Sequence, residues 1–386
     1  MEFFGYERPD GSAGIRNHVA VISSGRCGNE MAVTIADAVQ GAVPVIHTHE
    51  CVRLKDDNEK ALRVIAGMGS NPNVAAAIVV GIGCENPSPG KIGEEIAKSK
   101  KPVEVLTVME SNGYQDLMDR ALAIVRRMVA EASQLQRKPF PLSYLTLGVK
   151  CGGSAAVSGI AGNSVTGKVL DRLIAEGGTA IFSETTEVIG ADHLIEKRAV
   201  NKEVARRFRE MVDRQEARIR ATGEDIKGTQ PTRGNIAEGL TTIEEKSLGS
   251  IMKGGSKTLQ GVLDYGEIPE GKGLFFMDGP GRTPEALTGL NATGAQIIIF
   301  PTGGGSPGGS LISPVIKVTG NPQTAQRLKD HIDVDVSSLI RGKELLEKAG
   351  GKIFQRLLKV ANGELTKSET LGYGSIAVWN IGLLCG

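Results

Sequence analysis

The sequence predicts an α/β fold made of two domains with mostly parallel sheets. Short apolar runs alternate with helical patterns along the chain, as in βαβ units that build a parallel sheet. Glycine is abundant, at 51 residues, whereas aromatic residues make up only 4% of the chain, which is typical of α/β proteins with small aliphatic core residues. A chain of 386 residues is long enough for more than one domain. We therefore expect an N-terminal parallel α/β domain over 1–140 and a C-terminal α/β domain over 141–386.

Continuous apolar runs separated by helical patterns predict the N-terminal domain. The helices are expected between these strands and after the last of them, where a long helix closes the unit. The Pro-rich segment 138–141 is expected to be a linker. The predicted buried strands are 18–24, 43–47, 76–82 and 103–109, and the predicted helices are 28–39, 56–67, 90–99 and 114–136.

The C-terminal domain shows the same kind of pattern. In parallel α/β sheets, ligands bind beyond the carboxyl ends of the strands, so residues that directly follow a strand are the candidates for function. The predicted strands are 145–151, 179–183, 274–278, 295–302 and 314–319, and the predicted helices are 201–221, 323–330 and 342–361.

Bulk properties exclude several classes of partner. The formal net charge is +1 and 23% of the residues are charged, so no basic face for nucleic acid is expected. The chain has no apolar run long enough to span a bilayer, and its first residues lack the features of a signal peptide. Five scattered cysteines argue against a disulfide framework and predict a reducing, cytoplasmic location.

The second predicted strand ends in a group of metal-ligand side chains. His47, His49, Glu50 and Cys51 lie within five residues, and alternation places the two histidines on the same face. Such a group could hold a metal or bind substrate. The alternative is a structural role, which is the commoner one for a single histidine at a strand end.

Cysteine and glutamate also follow other strands. Cys84 follows two glycines after the third strand, where a βα turn with a buried thiol is the alternative. Cys151 lies beside a Gly-rich turn whose backbone N–H groups could lower its pKa, or it is simply a packed cysteine. Glu184 and Glu187 follow an apolar run, and carboxylates at a buried edge are costly unless they are paired with a metal or with cations. They are the strongest candidates for a metal ligand or a general base.

Two further segments combine glycine with polar residues. The loop 302–309 could wrap an anion, but it matches neither the P-loop nor the dinucleotide-binding pattern, and a lid or a plain linker is as good an interpretation. In the segment 230–249, Thr241 or Thr242 can cap a helix that has a glutamate at capping-box distance. This segment is either an ordinary capped helix or a wall of the site that supplies Glu245 and Lys246.

Together these segments resemble the large catalytic region of the altronate/galactarate dehydratase family, whose relatives include sulfolactate sulfo-lyase. The resemblance covers nearly the whole chain in order. The segments that carry it include GYERPDGSAGIRNH, CGNEMA, GIGCE, KCGGSAAVSGIAGN, GGTAIFSETTEVIGA, GNIAEGLTTIEEKSLG, MDGPG and FPTGGGSP.

The resemblance implies a cytoplasmic lyase that needs Fe²⁺ or a similar divalent ion, with Mn²⁺ as the other choice, and that acts on polyhydroxy or sulfo acids. Many members carry a small N-terminal domain, whereas this chain begins directly on GYERPDG, so the resemblance implies a separate small subunit and an oligomer. One position departs from the dehydratases, because Arg53 stands where they usually carry a cysteine four residues after a histidine. This position, GNIAEGLTTIEEK and HIDVDV resemble the sulfo-lyases, while GIGCE resembles the dehydratases.

The reaction implied by the family is a β-elimination from a 2-hydroxy acid. The principal hypothesis is dehydration of a sugar acid to a 2-keto-3-deoxy acid, and the alternative is release of sulfite and pyruvate from sulfolactate. A non-catalytic sugar-acid binding subunit is a second alternative, and a nucleotide-dependent enzyme is disfavoured because phosphate-binding motifs are missing. A metal would stabilise the enediolate, a base would remove the C2 proton, and cations would bind the acid groups. The expected metal ligands are His49, Cys84, Cys151 and Glu184, the expected catalytic residues are Glu187, Glu245 and Lys246, and the expected substrate-binding residues are Arg16, Arg53 and Asn235.

Overall fold

The structure is a computed structural model that describes residues 1–49 and 53–382. In these residues the strands form a four-stranded parallel sheet, a seven-stranded parallel sheet and a small antiparallel sheet of three strands. The predicted α/β class with mostly parallel sheets is therefore confirmed. Within the same residues, none of the helices combines the length and the apolar character needed to cross a membrane.

The strands and helices are labelled here in chain order. The strands are β1 (Glu2–Glu7), β2 (Ala13–Gly14), β3 (His18–Ser23), β4 (Ala42–Val45), β5 (Val74–Gly81), β6 (Val103–Thr107), β7 (Lys138–Pro141), β8 (Thr146–Val149), β9 (Thr179–Ser183), β10 (Leu259–Leu263), β11 (Gly273–Met277), β12 (Ile297–Pro301), β13 (Val315–Thr319) and β14 (Val334–Asp335). The α-helices are α1 (Asn29–Asp37), α2 (Lys55–Ser70), α3 (Pro89–Ala97), α4 (Tyr114–Ser133), α5 (Ser164–Ala175), α6 (Asp192–Glu196), α7 (Lys202–Arg220), α8 (Ile226–Thr229), α9 (Arg233–Ala237), α10 (Ile243–Ile251), α11 (Thr283–Ala292), α12 (Pro322–Arg327), α13 (Leu346–Ala361) and α14 (Lys367–Thr370).

The first sheet has the strand order β4-β3-β5-β6. Every residue of β5 is buried, because helices cover both faces of a parallel sheet. Helices α1 and α4 pack on one face, and α2 and α3 pack on the other. The hydrophobic cluster around α2 continues into the second sheet, where it includes Phe275 of β11 and Ile298 of β12. The two sheets therefore share part of one core.

The second sheet has the strand order β10-β11-β9-β8-β12-β13-β14. Strands β8 and β9 are neighbours in its middle, and Thr146 pairs with Thr179. Because all neighbouring strands run parallel, the residues that follow β8, β9 and β11 meet at one edge of the sheet. This edge brings together the polar residues that follow Val149, Ser183 and Met277.

The segment expected to be a linker is strand β7. It pairs antiparallel with β1, and Phe3 lies opposite Phe140. Its two prolines are tolerated because β7 is the edge strand of the order β2-β1-β7, where missing N–H donors need no partner strand. The pattern also missed helices α5 and α11, whose glycines and threonines weaken the helical signal. The boundary between residues 140 and 141 falls within β7 and stays a prediction.

Arg16 joins the start of the chain to its last helices. Its Nε and Nη2 atoms donate to the two carboxylate oxygens of Glu369, at 2.7 and 3.0 Å. Nη1 donates to the backbone oxygens of Ile15 and Val360, and Nη2 donates also to that of Glu364. The guanidinium group is therefore occupied within the protein, and the geometry offers no support for the substrate-binding role expected of Arg16.

Replacing Arg16 with Met should lower the free energy of unfolding by about 3–5 kcal/mol, because it leaves the largely buried Glu369 carboxylate without its partner. Urea unfolding followed by circular dichroism measures the loss. The matched control is Arg206→Met, which removes an exposed guanidinium group from its pairs with Glu203 and Glu210 and should change little. Equal effects of the two substitutions would contradict this account of Arg16.

Candidate active site

The turn after β9 holds the two glutamates in an unusual backbone conformation. Glu184 has a φ of 87°, in the left-handed region that non-glycine residues rarely adopt, and a single 3₁₀ turn, Thr185–Glu187, follows it. The loop after β11 fixes this turn, because Thr185 Oγ1 donates to Asp278 Oδ1 at 2.6 Å and Gly279 N donates to Thr185 Oγ1 at 3.1 Å. Strained residues of this kind persist where the surroundings hold them in place, and they are frequent at functional sites.

The carboxylate of Glu184 is fully buried between two lysines. Lys253 Nζ lies 2.6 Å from Oε2, and Lys150 Nζ lies 3.1 Å from Oε1. The backbone N–H of Cys151 donates to Oε2 at 2.9 Å. All three charged side chains are at most 1% exposed. The expectation that a carboxylate at this edge needs a cationic partner is thus met by lysine side chains from the end of β8 and the turn after α10.

Glu187 lies next to Glu184 and its two lysines, and it reaches from this buried cluster to the surface of the site. Its Oε2 accepts hydrogen bonds from Cys151 Sγ at 3.1 Å and from Ser250 Oγ at 3.2 Å, and it lies 3.8 Å from Lys253 Nζ. Its other oxygen, Oε1, lies 3.5 Å from Lys246 Nζ. One oxygen is therefore fixed in the buried cluster, and the other lies beside a second ammonium group.

The charges of this cluster set the protonation states of its acids. Burial alone would raise the pKa of Glu187, but the ammonium groups of Lys253, Lys246 and Lys150, with the thiol hydrogen bond from Cys151, lower it to about 2. Burial raises the pKa of the Cys151 thiol, and the neighbouring carboxylates raise it further. The cysteine is therefore a protonated donor, and the lowered pKa suggested by its Gly-rich turn is not found.

A cavity of about 510 Å³ opens on the outer side of Glu187. This volume suits a small organic acid. Lys246 is fixed at its edge by a hydrogen bond from Nζ to Gln230 Oε1 at 2.8 Å, in addition to its ion pair with Glu187. The lining residues include Thr186, Glu187, Gln230, Lys246, Gly281 and Arg282.

Four of the predicted site residues meet here, namely Cys151, Glu184, Glu187 and Lys246. Lys150, Lys253 and Ser250 belong to the same cluster, and the sequence analysis missed them. Lys150 precedes Cys151 at the strand end, so the strand-end rule could have found it. Lys253 is separated from Glu184 by 69 positions and has no local pattern that marks it.

Glu245 and Asn235 form helix caps. Glu245 is half-buried, its Oε2 accepts from Thr241 N at 2.8 Å, and its backbone N–H donates to the capping Thr242 hydroxyl at 3.1 Å. Asn235 accepts from the N–H of Thr232 in a capping box and donates to Ser154 O at 3.0 Å. Neither residue lines the cavity beside Glu187. Glu245 thus belongs to an ordinary capped helix, whereas Lys246 of the same segment lies at the cavity beside Glu187.

His49, Cys84 and Arg53, which were predicted from the first half of the chain, do not line the cavity beside Glu187. His49 is buried, with Nε2 3.1 Å from Asn58 Oδ1 and 3.2 Å from Asn86 O. Cys84 is exposed on the turn after β5. Arg53 donates from Nη1 to Gly382 O at 3.2 Å. Glu50 and Cys51 lie outside the described residues.

Three backbone N–H groups of the loop 302–309 donate hydrogen bonds to other atoms of the protein. Those of Gly305 and Ser306 donate to Thr302 Oγ1, and that of Gly304 donates to Gly153 O. Lys317 Nζ donates to Ser306 O at 2.6 Å and fixes the far side of the loop. These three donors are already occupied, so they give the anion-binding interpretation of this loop no support.

One group of described residues could hold a metal ion. Cys151, Glu184 and Glu187 each offer a ligand atom, and these atoms lie within 4.8 Å of one another. Sulfur and carboxylate oxygen suit a divalent transition metal, so the donors fit in type and in spacing. Lys253 Nζ lies within 3.8 Å of all three side chains, so a divalent ion at this place would replace that ammonium group rather than join it.

Comparisons with known proteins show the family to which the chain belongs. Residues 142–384 match the family described as D-galactarate/altronate dehydratase, C-terminal, and residues 5–133 match the second domain of D-galactarate dehydratase/altronate hydrolase. The chain is 41% identical to the (2R)-sulfolactate sulfo-lyase subunit beta of Chromohalobacter salexigens, over 96% of this chain and 95% of that protein. It is 32% identical to the galactarate dehydratase (L-threo-forming) of Escherichia coli, over 98% and 76%, and 29% identical to the altronate dehydratase of Bacillus subtilis, over 99% and 78%.

The lowered pKa of Glu187 predicts a contribution to acid stability. A carboxyl group whose pKa falls on folding stabilises the protein fully above its unfolded value, near 4.5, and loses this contribution as the pH falls towards 2. The free energy of unfolding of the wild type should therefore fall more steeply between about pH 5 and 2 than that of Glu187→Gln. Urea titrations across this range measure both slopes, and parallel slopes would contradict the assigned ionisation.

Proposed function

Because this chain belongs to the family of D-galactarate and altronate dehydratases, and is thus a lyase, we propose that it performs a β-elimination on a 2-hydroxy acid in the cavity beside Glu187 and Lys246. The observation that carries the proposal is the position of Glu187. One carboxylate oxygen is fixed in the buried cluster, while the other lies beside the Lys246 ammonium group at the cavity. A base and an acid thus lie next to each other at a place where a small acid fits.

The proposed steps use these two side chains. The Glu187 carboxylate takes the proton from C2, and the electron pair of that C–H bond moves onto the substrate carboxylate, which becomes an enediolate. This pair then returns to form the C2–C3 double bond as the bond from C3 to its leaving group breaks. In a dehydration, Lys246 gives its proton to the departing hydroxyl group, which leaves as water. In a desulfonation, sulfite leaves as an anion, and Lys246 needs only to pair with it. The enol then takes up a proton and becomes a 2-keto acid.

A weakly basic carboxylate needs help to remove a C2 proton. The pKa of Glu187 is about 2, so the negative charge of the enediolate must be stabilised strongly by its surroundings. A divalent metal, which we propose to be Fe²⁺ with Mn²⁺ as the alternative, would supply this charge stabilisation when held by Cys151, Glu184 and the inner oxygen of Glu187. Lys150 pairs with Glu184 in its buried position.

Two substrate classes are compatible with the site. We propose a sugar acid of the altronate or galactarate type as the principal substrate, with a 2-keto-3-deoxy acid as product. Sulfolactate is the second candidate, and the specific observation that favours it is the 41% identity to a sulfo-lyase subunit, compared with 29–32% for the dehydratases. The name of that relative, subunit beta, supports a separate small subunit for this chain, and we propose a cytoplasmic oligomer with that partner.

The assay compares three substrates and two acidic residues. The chain, purified anaerobically with Fe²⁺ and its small subunit, should release a 2-keto acid from altronate, galactarate or sulfolactate. Glu187→Gln should lower kcat about 10²- to 10⁴-fold, because the base is lost. The matched control, Glu245→Gln, changes a helix cap outside the cavity and should remain close to wild type.

The same assay distinguishes the two reactions. Lys246→Met should slow dehydration more than release of sulfite, because only the departing hydroxyl group needs a proton. Sulfite formed from sulfolactate alone would exclude the dehydratase reaction. Full activity of Glu187→Gln would remove this residue from the mechanism.

Metal content tests the proposed ligands independently of turnover. Cys151→Ser should weaken Fe²⁺ binding by about 10- to 100-fold or more, since changes in residues that only support a ligand already have effects of that size. The control is Cys84→Ser, which changes an exposed thiol outside the group and should leave metal content unchanged. Anaerobic equilibrium dialysis with metal analysis measures both variants. Loss of Fe²⁺ binding in Cys84→Ser but not in Cys151→Ser would contradict the proposed ligand group.

A further inference from the structure

Trp379 stands between two cavities and is the single tryptophan of the sequence. It lines the cavity beside Glu187, and it also lines a second cavity of about 450 Å³. Helix α7 borders both cavities, because Gln215 lines the first and Arg218 lines the second. The indole is 7% exposed and lies in a segment that follows the last helix. Its position therefore sets where one cavity ends and the other begins.

Tyr265 and Lys60, which come from different parts of the fold, contact the indole ring. Tyr265, which follows β10, packs edge-on against it with 5.5 Å between the ring centroids. Lys60 of α2 places its Nζ 5.0 Å from the centre of the ring. Two residues earlier, Ala377 N donates to Thr288 Oγ1 at 3.1 Å. The ring is thus enclosed by α2 on one side and by the second sheet and its helices on the other.

Asp57 fixes the backbone that follows the tryptophan. Its carboxylate accepts from Ile381 N at 3.1 Å and from Gly382 N at 2.6 Å, and it pairs with Lys60 Nζ at 3.0 Å. Burial alone would raise the pKa of Asp57, but these hydrogen bonds lower it, so the group is ionised at neutral pH. The same carboxylate therefore holds both the backbone of the segment and the lysine that covers the indole.

We propose that Asp57 is a positioning residue for the lyase site, and that it acts by holding Trp379 as the wall of the cavity beside Glu187. This inference rests on the proposed function, because the occupant of that cavity is taken to be the hydroxy acid. The side chain of Asp57 contacts the 381–382 backbone and Lys60 and does not line the cavity beside Glu187. Its effect on substrate is thus transmitted through residues 379–382.

The exposure of the Trp379 indole to solvent can be measured without substrate. In Asp57→Asn, the emission of Trp379 should move to longer wavelength, and acrylamide should quench it about twofold more strongly, because the segment loses its charged anchor. The matched control is Asp56→Asn, which removes a neighbouring exposed carboxylate of the same helix. The control should leave emission and quenching unchanged. Equal quenching of Asp57→Asn and wild type would overturn the proposed anchor.

Kinetics then test the consequence for substrate. With the hydroxy acid that the wild type turns over, Asp57→Asn should raise KM about tenfold and change kcat less than about threefold, because binding is affected more than the chemical step. Trp379→Ala should raise KM similarly, and Trp379→Phe should restore most of the affinity. An unchanged KM in Trp379→Ala would overturn the role of the wall. The quenching measurement stands apart from turnover, so failure of the lyase reaction and failure of the anchor give different results.

Discussion

The geometry of the site depends on the pairing of one buried carboxylate, that of Glu184. A carboxylate removed from water is strongly destabilising unless cations and N–H donors surround it. Lys150 and Lys253 supply the cations, and the backbone of Cys151 supplies a donor. These partners come from the end of β8 and from the turn after α10, so two separate segments converge on one carboxylate. Each segment also carries a residue that contacts Glu187 or that lies beside it.

The same pairing controls Glu187, the proposed base. The lysines that neutralise Glu184 also lower the pKa of Glu187, while burial keeps Cys151 protonated so that its thiol donates to that carboxylate. Glu187 is thus ionised, oriented by donors on its inner side, and accompanied by Lys246 on its outer side. Such prior orientation of charged groups is the main way in which enzymes stabilise developing charge. A divalent ion, where present, would take the place of one ammonium group in an arrangement already built for positive charge.

The sequence predicted the fold class and the edge of the sheet at which the site lies. The strand-end rule found Cys151, Glu184 and Glu187 because parallel neighbours β8 and β9 end side by side. It could not find Lys253, since its contact with Glu184 depends on how α10 packs against the sheet. Two polar residues were predicted to bind substrate, although the structure shows that their hydrogen-bond partners lie within the protein. Arg16 and Asn235 have the chemistry of ligand-binding residues, but their donors are used by backbone and side-chain groups that are remote in sequence.

The segment expected to be a linker is strand β7, and this affects how a ligand could reach the cavity. A flexible connection would let the two sheets open and close as a hinge around the cavity. Here the connecting segment is hydrogen-bonded to β1, and the cluster around α2 contains side chains of both sheets. Rigid-body opening would have to break this shared core. The shared core therefore opposes a hinge motion of the two sheets, which leaves local movements of side chains and loops as the way for a ligand to enter the cavity.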